Sequence, residues 1–274
     1  MVASDTMVGI IGAVVLTAAL IGVFAYEATS ETGTTATLKP ITHSVTGSGT
    51  LSYTEAEEAP NCVPAPPVVE CAPESTTVTF TAKGLPNIGS AMHYAGFLSG
   101  ASGSPVFLGV LKASGSDYSL PSTTKDGDHR TGAFVVSLET SATPTSPSLT
   151  LFETNITGNS FSGEAQVSLA PNKDQELHIN DRIGAADVSG ELVNLPRYEG
   201  YVYRVWLHDN TTDGKFALLA NVTMPESGAL FNATLDARVT ESTEGRWDHM
   251  MIYLESGDAM AAPAGFLMYK ADLT

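Results

Sequence analysis

The sequence predicts an all-β protein, in which one N-terminal transmembrane helix precedes two tandem β-sandwich domains of the Ig-like, Greek-key type. Three observations predict this fold class. Short apolar runs alternate with period two, turn signals such as Asp-Gly and Glu-Ser-Gly recur between them, and the second half of the chain repeats the first. Short strands at regular spacing are typical of sandwiches, because each strand buries one face and then turns.

The first element is the uncharged run Met7–Tyr26, which follows a short N-terminal tail at 1–6. Its 20 residues match the length that a helix needs to cross a bilayer. A secretory signal has a shorter apolar region and a basic start, and this segment has neither. Cleavage of the segment after Ala25 remains an alternative. The run therefore predicts a single-pass anchor in the cell membrane, and its flanks carry no basic residue to fix the orientation.

The second element, residues 27–40, is rich in Thr and poor in large apolar residues. Such composition predicts a flexible tether between the membrane and the first domain.

Both cysteines fall in a proline-rich stretch of the first domain, at Cys62 and Cys71. In an exported chain this spacing predicts one short-loop disulfide. A metal or redox pair is the alternative, but the stretch contains neither a CxxC motif nor a histidine.

Four Asn-x-Ser/Thr sequons are candidate N-glycosylation sites, and together with the cysteine pair they place the domains outside the cell. They begin at Asn155, Asn210, Asn221 and Asn232.

The repeat defines the two domains, which are predicted at 41–155 and 156–274. Large residues recur at offsets of 109 to 116 positions, which chance rarely preserves. The matched residues are Leu85-Pro86 with Leu195-Pro196, Tyr94 with Tyr203, Phe97 with Trp206, Phe107 with Phe216, Arg130 with Arg246, Glu139 with Glu255, and Pro147 with Pro263.

Two runs of the second domain predict which side chains face the core. In the first run Phe216, Leu218, Ala220 and Val222 share one face, with Leu219 and Asn221 on the other. In the second, Phe231, Ala233 and Leu235 share a face, and Leu230 and Asn232 lie opposite. Asn221 and Asn232 are therefore predicted to point outward, where a glycan is tolerated.

Charge excludes two classes of partner. With 30 acidic residues against 13 basic ones, the formal net charge is −17, so the chain lacks the basic footprint that nucleic acids and anionic lipids require. The predicted partners are the membrane, through Met7–Tyr26, and a protein or envelope component.

The residues that could carry chemistry are few. The chain contains no GxSxG elbow, no phosphate-binding loop and no GxGxxG motif. His208-Asp209 and Asp248-His249 lie at the ends of candidate strands and could meet in the fold. However, zinc needs three or four converging ligands, and the first domain has Ser99 and Ala133 at the aligned positions. No metal, no cofactor and no enzymatic activity are therefore predicted.

The DNTTDG segment after His208 resembles a calcium loop only superficially, because its twelfth position is Ala220 rather than Glu. A hairpin turn at Asp213-Gly214 is the prediction there.

The other repeated residues have structural interpretations. Arg130 and Arg246 are predicted to form ion pairs with Glu139 and Glu255, although a repeated arginine could also bind a carboxylate ligand. Tyr203, Trp206 and Phe216 could line a groove, but their strand spacing favours the core.

The second domain resembles the extracytoplasmic β-sandwich domain of anti-sigma-K factors. The residues that carry the resemblance are Leu195-Pro196, the strand Tyr203 to Leu207, Phe216, the strand Met251 to Gly257, and Pro263-Ala264-Gly265. The resemblance covers about residues 190–270, and more faintly 80–152. It implies an outward-facing sandwich on a single helix. It does not imply sigma-factor binding, because those regulators carry a cytosolic domain ahead of the helix, where this sequence has six residues.

The sequence thus predicts a non-catalytic cell-surface protein that acts as a structural, adhesive or interaction module. One alternative is the ectodomain of an anti-sigma-like transmembrane signalling system. Another is a pilin-like filament subunit, although the basic residue and glycine that pilin processing requires are absent ahead of the apolar run.

Overall fold

Strands are the only regular secondary structure in the described part of the chain. The computed structural model describes residues 33–54, 75–100, 104–126, 131–182, 185–209, 214–240, 247–257 and 261–273. The prediction of an all-β protein is confirmed. Within those ranges there is no helix whose length and apolar character would let it cross a membrane, and Met7–Tyr26 lies outside them.

The described residues form seventeen strands. The first ten are β1 (Thr34–Pro40), β2 (His43–Thr54), β3 (Ser75–Lys83), β4 (His93–Gly100), β5 (Val106–Val110), β6 (Lys112–Ser114), β7 (Asp117–Asp126), β8 (Thr131–Glu139), β9 (Leu149–Thr157) and β10 (Ser160–Val167). The remaining seven are β11 (Gln175–Arg182), β12 (Ala185–Pro196), β13 (Tyr201–Asp209), β14 (Lys215–Val222), β15 (Leu230–Thr240), β16 (His249–Ser256) and β17 (Phe266–Asp272).

The strands form two sheets with the same internal order. The first sheet runs β5-β4-β8-β9-β10-β2-β3-β7-β6, and the second runs β14-β13-β16-β17-β1-β11-β12-β15. Strand by strand, β4 corresponds to β13, β8 to β16 and β9 to β17, which is the correspondence that the sequence repeat predicts. The extra strand β6 at one end of the first sheet has no counterpart in the second. We call the two sheets unit 1 and unit 2.

One strand of unit 2 comes from the beginning of the described chain. The place that β10 fills in unit 1 is filled in unit 2 by β1, which pairs with β11 through residues 34–38 and with β17 through residues 39–40. The predicted tether at 27–40 is therefore wrong for its second half, which is a strand with Ala36 and Leu38 buried. The pattern Thr-Ala-Thr-Leu alternates as a strand does, but the run is short and its partner strands lie far away in the sequence.

The division between the units also differs from the predicted one. The boundary at 155/156 falls inside β9, and β10, which the prediction assigned to the second domain, belongs to unit 1. The repeat alone could not locate this point, because the place of β10 is filled in unit 2 by β1, which lies far away in the sequence.

A continuous cluster of buried side chains extends through both units. Backbone and side-chain hydrogen bonds join them: Gly89 N–H donates to the Ala264 carbonyl at 2.6 Å, and the Tyr201 hydroxyl donates to the Leu138 carbonyl at 2.6 Å. A Cβ on Gly89 would lie 2.4 Å from that of Ala264, so only glycine fits at this contact. The two units are therefore packed directly against one another.

One cross-strand pair shows how the same framework accommodates different core side chains. In unit 1, Gly49 on β2 lies opposite Phe80 on β3, whereas in unit 2 Leu177 on β11 lies opposite Gly190 on β12. A Cβ on Gly49 or on Gly190 would come within 3.0 Å of neighbouring atoms. The space beside Gly49 is filled by Phe161 of β10 and the space beside Gly190 by Leu177 of β11, so each glycine makes room for a large side chain of a neighbouring strand.

The predicted face of β14 is wrong for Leu218 and Leu219 and right for Asn221 and Val222, while that of β15 is confirmed. A bulge between Val205 and Trp206 of β13 leaves Leu219 as an extra residue in β14. The inward face therefore changes at that point, so that Leu219 is buried and Leu218 is exposed. A bulge inserts one residue and inverts the period-two pattern, and nothing in the apolar spacing marks its position. On β15, Leu235 is buried and Leu230 and Asn232 are exposed, as predicted.

Candidate functional site

The repeated Leu-Pro step and the repeated tyrosine form the same contact in both units. The Tyr94 hydroxyl donates to the Pro86 carbonyl and the Tyr203 hydroxyl donates to the Pro196 carbonyl, each at 2.8 Å. Burial raises the pKa of both tyrosines well above the ordinary value, so both hydroxyls stay protonated and remain donors. In each unit the tyrosine therefore fixes the Leu-Pro segment that precedes its own strand, β4 or β13.

The aromatic residues of β13 divide between the two faces of the sheet. Tyr203 belongs to the buried cluster, and Trp206 is buried on the opposite face, where its Nε1 donates to Glu255 Oε1 at 3.1 Å. Phe216 is half-buried, with its ring 4.7 Å from that of His208. Tyr203 and Trp206 are buried, as the core interpretation requires.

The repeated glutamates are buried carboxylates with a shared backbone contact. Glu139 accepts from the Ser148 N–H at 2.8 Å, and Glu255 accepts from the Ala264 N–H at 3.2 Å. Both donors lie nine positions after the glutamate. Each carboxylate therefore fixes the end of the loop that leads to the next strand.

The remaining partners of the two glutamates differ in charge. Glu139 also accepts from the hydroxyls of Ser137 and Ser148, which are neutral donors. Glu255 accepts from Arg204 Nη1 at 2.5 Å, and both side chains of this ion pair are almost fully buried. Arg204 Nε also donates to Asn221 Oδ1 at 2.9 Å.

The cation observed beside Glu255 is one that the repeat did not predict, and the predicted ion pairs of Arg130 and Arg246 stay predictions. Arg246 and Arg130 lie outside the described residues, and the observed partner is Arg204 on β13. Sequence reasoning missed Arg204 because unit 1 has Ala95 at the equivalent position. The available signal was its i, i+2 spacing to Trp206, which places both side chains on one face of the strand.

Two histidines meet at the end of unit 2. His208 on β13 lies directly opposite His249 on β16, with parallel rings whose centroids are 5.6 Å apart. Asp248 lies between them: its Oδ1 is 3.0 Å from His208 Nδ1 and its Oδ2 is 3.5 Å from His249 Nε2. One potential ligand atom from each of the three residues lies within 4.8 Å of the others.

One more carboxylate, that of Asp272, contacts this cluster. Asp272 Oδ1 lies 2.9 Å from His249 Nδ1, an ion-pair contact whose angle departs from hydrogen-bond geometry. Asp209, which follows His208, is buried. The arrangement can bind a cation through two imidazole nitrogens and a carboxylate. The predicted meeting of His208 and His249 is therefore observed, with Asp248 and Asp272 completing the group.

The corresponding place in unit 1 carries none of these side chains. Ser99 on β4 and Ala133 on β8 are paired as His208 and His249 are, and Gly132 stands where unit 2 has Asp248. The cluster is thus particular to unit 2.

The described sequons lie on exposed positions. Asn155 is exposed on β9. Asn221 and Asn232 are also exposed, and their Oδ1 atoms accept hydrogen bonds from Arg204 Nε and from the Asn194 N–H. Asn210 and the two cysteines, Cys62 and Cys71, lie outside the described residues.

Comparison with known proteins identified no relative: no protein-family model, no curated protein and no solved structure matches this chain.

Proposed function

We propose that this chain is a single-pass, membrane-anchored cell-surface protein whose duplicated β-unit is a non-catalytic structural, adhesive or interaction module. The observation that carries the proposal is that the repeated polar residues make structural hydrogen bonds. Tyr94 and Tyr203 hold the Leu-Pro steps, and Glu139 and Glu255 hold the loops after β8 and β16. What the duplication preserved is therefore a framework, as expected for a protein that presents surfaces.

We further propose that each unit is a β-sandwich of the Ig-like, Greek-key type, with four strands in each layer of unit 2 and with layers of four and five strands in unit 1. The pairing between the halves of each sheet supports this. In unit 2 the halves are joined by β1, which pairs with β17 through only two residues, and in unit 1 β9 pairs with β10 only through Thr157 and Ser160. Strands that change layers in this way are typical of sandwiches.

Outward display and glycosylation are supported by the surroundings of the sequon asparagines. A glycan is attached to Nδ2, and in Asn221 and Asn232 it is Oδ1 that accepts a hydrogen bond. The exposed amide nitrogen is then the remaining group for modification, so a glycan fits without breaking either contact.

The anti-sigma-like alternative is favoured by one contact. The Leu195-Pro196 step and Tyr203, which carry the resemblance to the anti-sigma-K ectodomain, are joined by the hydroxyl-to-carbonyl hydrogen bond. Under this alternative, unit 2 transmits a signal through Met7–Tyr26 to a separate inner partner.

Protease treatment of intact cells that express the full chain tests the orientation. We expect the β-units to be degraded from outside while an epitope placed before Met7 is protected, and degradation only after lysis would contradict display at the surface. Replacement of all four sequon asparagines (Asn155, Asn210, Asn221 and Asn232) by Gln should remove the glycosidase-sensitive mass of the native protein. Co-purification of an inner-membrane-side regulator would favour signalling over the structural module.

A further inference from the structure

We propose that His208, Asp248 and His249 form a Zn²⁺ site at the end of β13 and β16, with Asp272 orienting His249. This site goes beyond the structural module proposed above, because the duplicated framework does not need it.

The spacing of the three side chains fits a tetrahedral zinc ion. Bonds of about 2.0–2.2 Å place neighbouring ligand atoms roughly 3.3–3.6 Å apart in a tetrahedron. The carboxylate of Asp248 lies 3.0 Å from His208 Nδ1 and 3.5 Å from His249 Nε2. These two distances involve different oxygens of Asp248, and one ligand atom from each of the three residues lies within 4.8 Å of the others, so the three side chains must draw closer to reach the tetrahedral spacing around one ion.

The surrounding groups favour the correct protonation of both rings. The Asp272 carboxylate lies 2.9 Å from His249 Nδ1, and a small rotation of this exposed side chain would let it accept from Nδ1–H and leave the lone pair on Nε2, which faces Asp248. His208 directs Nδ1 at Asp248, and its Nε2 lies near Gly214, so a proton can remain on Nε2 when Nδ1 binds the metal. A carboxylate behind a ligating histidine is the usual partner of zinc ligands.

The donor set selects the class of metal. Two imidazole nitrogens and one carboxylate suit borderline divalent ions such as zinc, whereas Ca²⁺ and Mg²⁺ require mostly oxygen ligands. The three side chains are 20%, 14% and 27% exposed, so an ion can enter from solvent. The fourth position is then available to water or to a partner's side chain.

The unit 1 counterpart argues against a purely structural role. Ser99, Gly132 and Ala133 occupy the equivalent positions on the same pairing of strands, so unit 1 has no ligating side chain at these three described positions. Neither the strand ends nor their pairing requires histidine and aspartate. We therefore assign these residues a role in metal binding that is particular to unit 2.

Isothermal titration of the untagged full chain with ZnCl₂ tests the proposal. We expect one ion per chain, an affinity at least 100-fold weaker in both His208→Ala and His249→Ala, and an unchanged affinity in His178→Ala, a control histidine exposed on β11 of the same unit. Asp272→Asn should weaken binding about 10-fold or more, the usual effect of removing such an orienting carboxylate. Since Asp272 is 69% exposed, this variant keeps its fold even where a histidine variant does not.

Co²⁺ provides a spectroscopic readout of the same site. The expected result is the intense visible absorption of a four-coordinate cobalt ion, lost in His249→Ala. Equal zinc affinity in the wild type, His208→Ala and Asp272→Asn would overturn the proposal. So would CaCl₂ binding as tight as that of ZnCl₂.

Discussion

Replacing each buried glutamate by glutamine should affect the two units unequally. In Glu255→Gln, the new amide faces Arg204 Nη1, which is 2.5 Å from the present carboxylate. Two donors then oppose each other, and a cation whose side chain is 4% exposed loses its counter-charge. Removing one partner of a buried ion pair costs about 3–5 kcal/mol of the free energy of unfolding.

Glu139→Gln should cost much less. The partners of Glu139 are the hydroxyls of Ser137 and Ser148 and one backbone N–H, and a hydroxyl can rotate to accept from the new amide. The loss is the difference between charge-assisted and neutral hydrogen bonds, about 1 kcal/mol.

Urea unfolding followed by tryptophan fluorescence and by circular dichroism measures both costs. Trp206 donates to Glu255, so its emission reports directly on the substituted site. The double variant Arg204→Met with Glu255→Gln should regain part of the loss, because no buried cation remains. If Glu255→Gln cost no more than Glu139→Gln, the ion pair would have no part in holding unit 2 together.

The remaining predictions concern the contact between the units and the response to alkaline pH. Gly89→Val should destabilise the protein by about 1–3 kcal/mol through overpacking against Ala264, whereas Gly257→Ala, with no atom near the added methyl group, should be neutral in the same thermal unfolding assay. Burial raises the pKa of Tyr198 to about 12, above the unfolded value of 10.0, so its contribution to stability is complete below pH 10.0 and is lost as the pH rises through about 12. Tyr198→Phe should remove that part of the alkaline loss, and an unchanged pH profile of the unfolding midpoint would contradict the assignment.

The repeat was the most productive signal in the sequence, because constant offsets identify residues that share a place in a fold. The matched pairs Tyr94 with Tyr203 and Glu139 with Glu255 make equivalent contacts in the two units. Large apolar residues and turn signals likewise sufficed to predict an all-β chain.

Pairing between strands that are distant in the sequence could not be predicted from local sequence patterns. The insertion of β1 into unit 2 depends on β11 and β17, which lie more than a hundred residues away. The bulge at Leu219 inverts a local pattern without a compositional mark. The partner of Glu255 was missed for the same reason, since the register of β13 on β16, rather than the repeat, brings Arg204 beside it.

The candidate site was predicted only in part. The two histidines were noticed because both end candidate strands, and the strand register then sets them opposite each other. Asp272 could not be connected with them, because its contact with His249 depends on the pairing of β16 with β17.

The most direct test of the account is whether β1 completes unit 2. The protein has two tryptophans, Trp206 and Trp247, and both are buried in unit 2, so their emission reports on that unit alone. Leu38→Asp places a charge at a fully buried position of β1, whereas Thr37→Asp changes an exposed neighbour on the same strand. The account predicts a red-shifted tryptophan emission and a lower unfolding midpoint for Leu38→Asp in the full chain, with Thr37→Asp like the wild type. Wild-type emission and an unchanged midpoint in Leu38→Asp would contradict it.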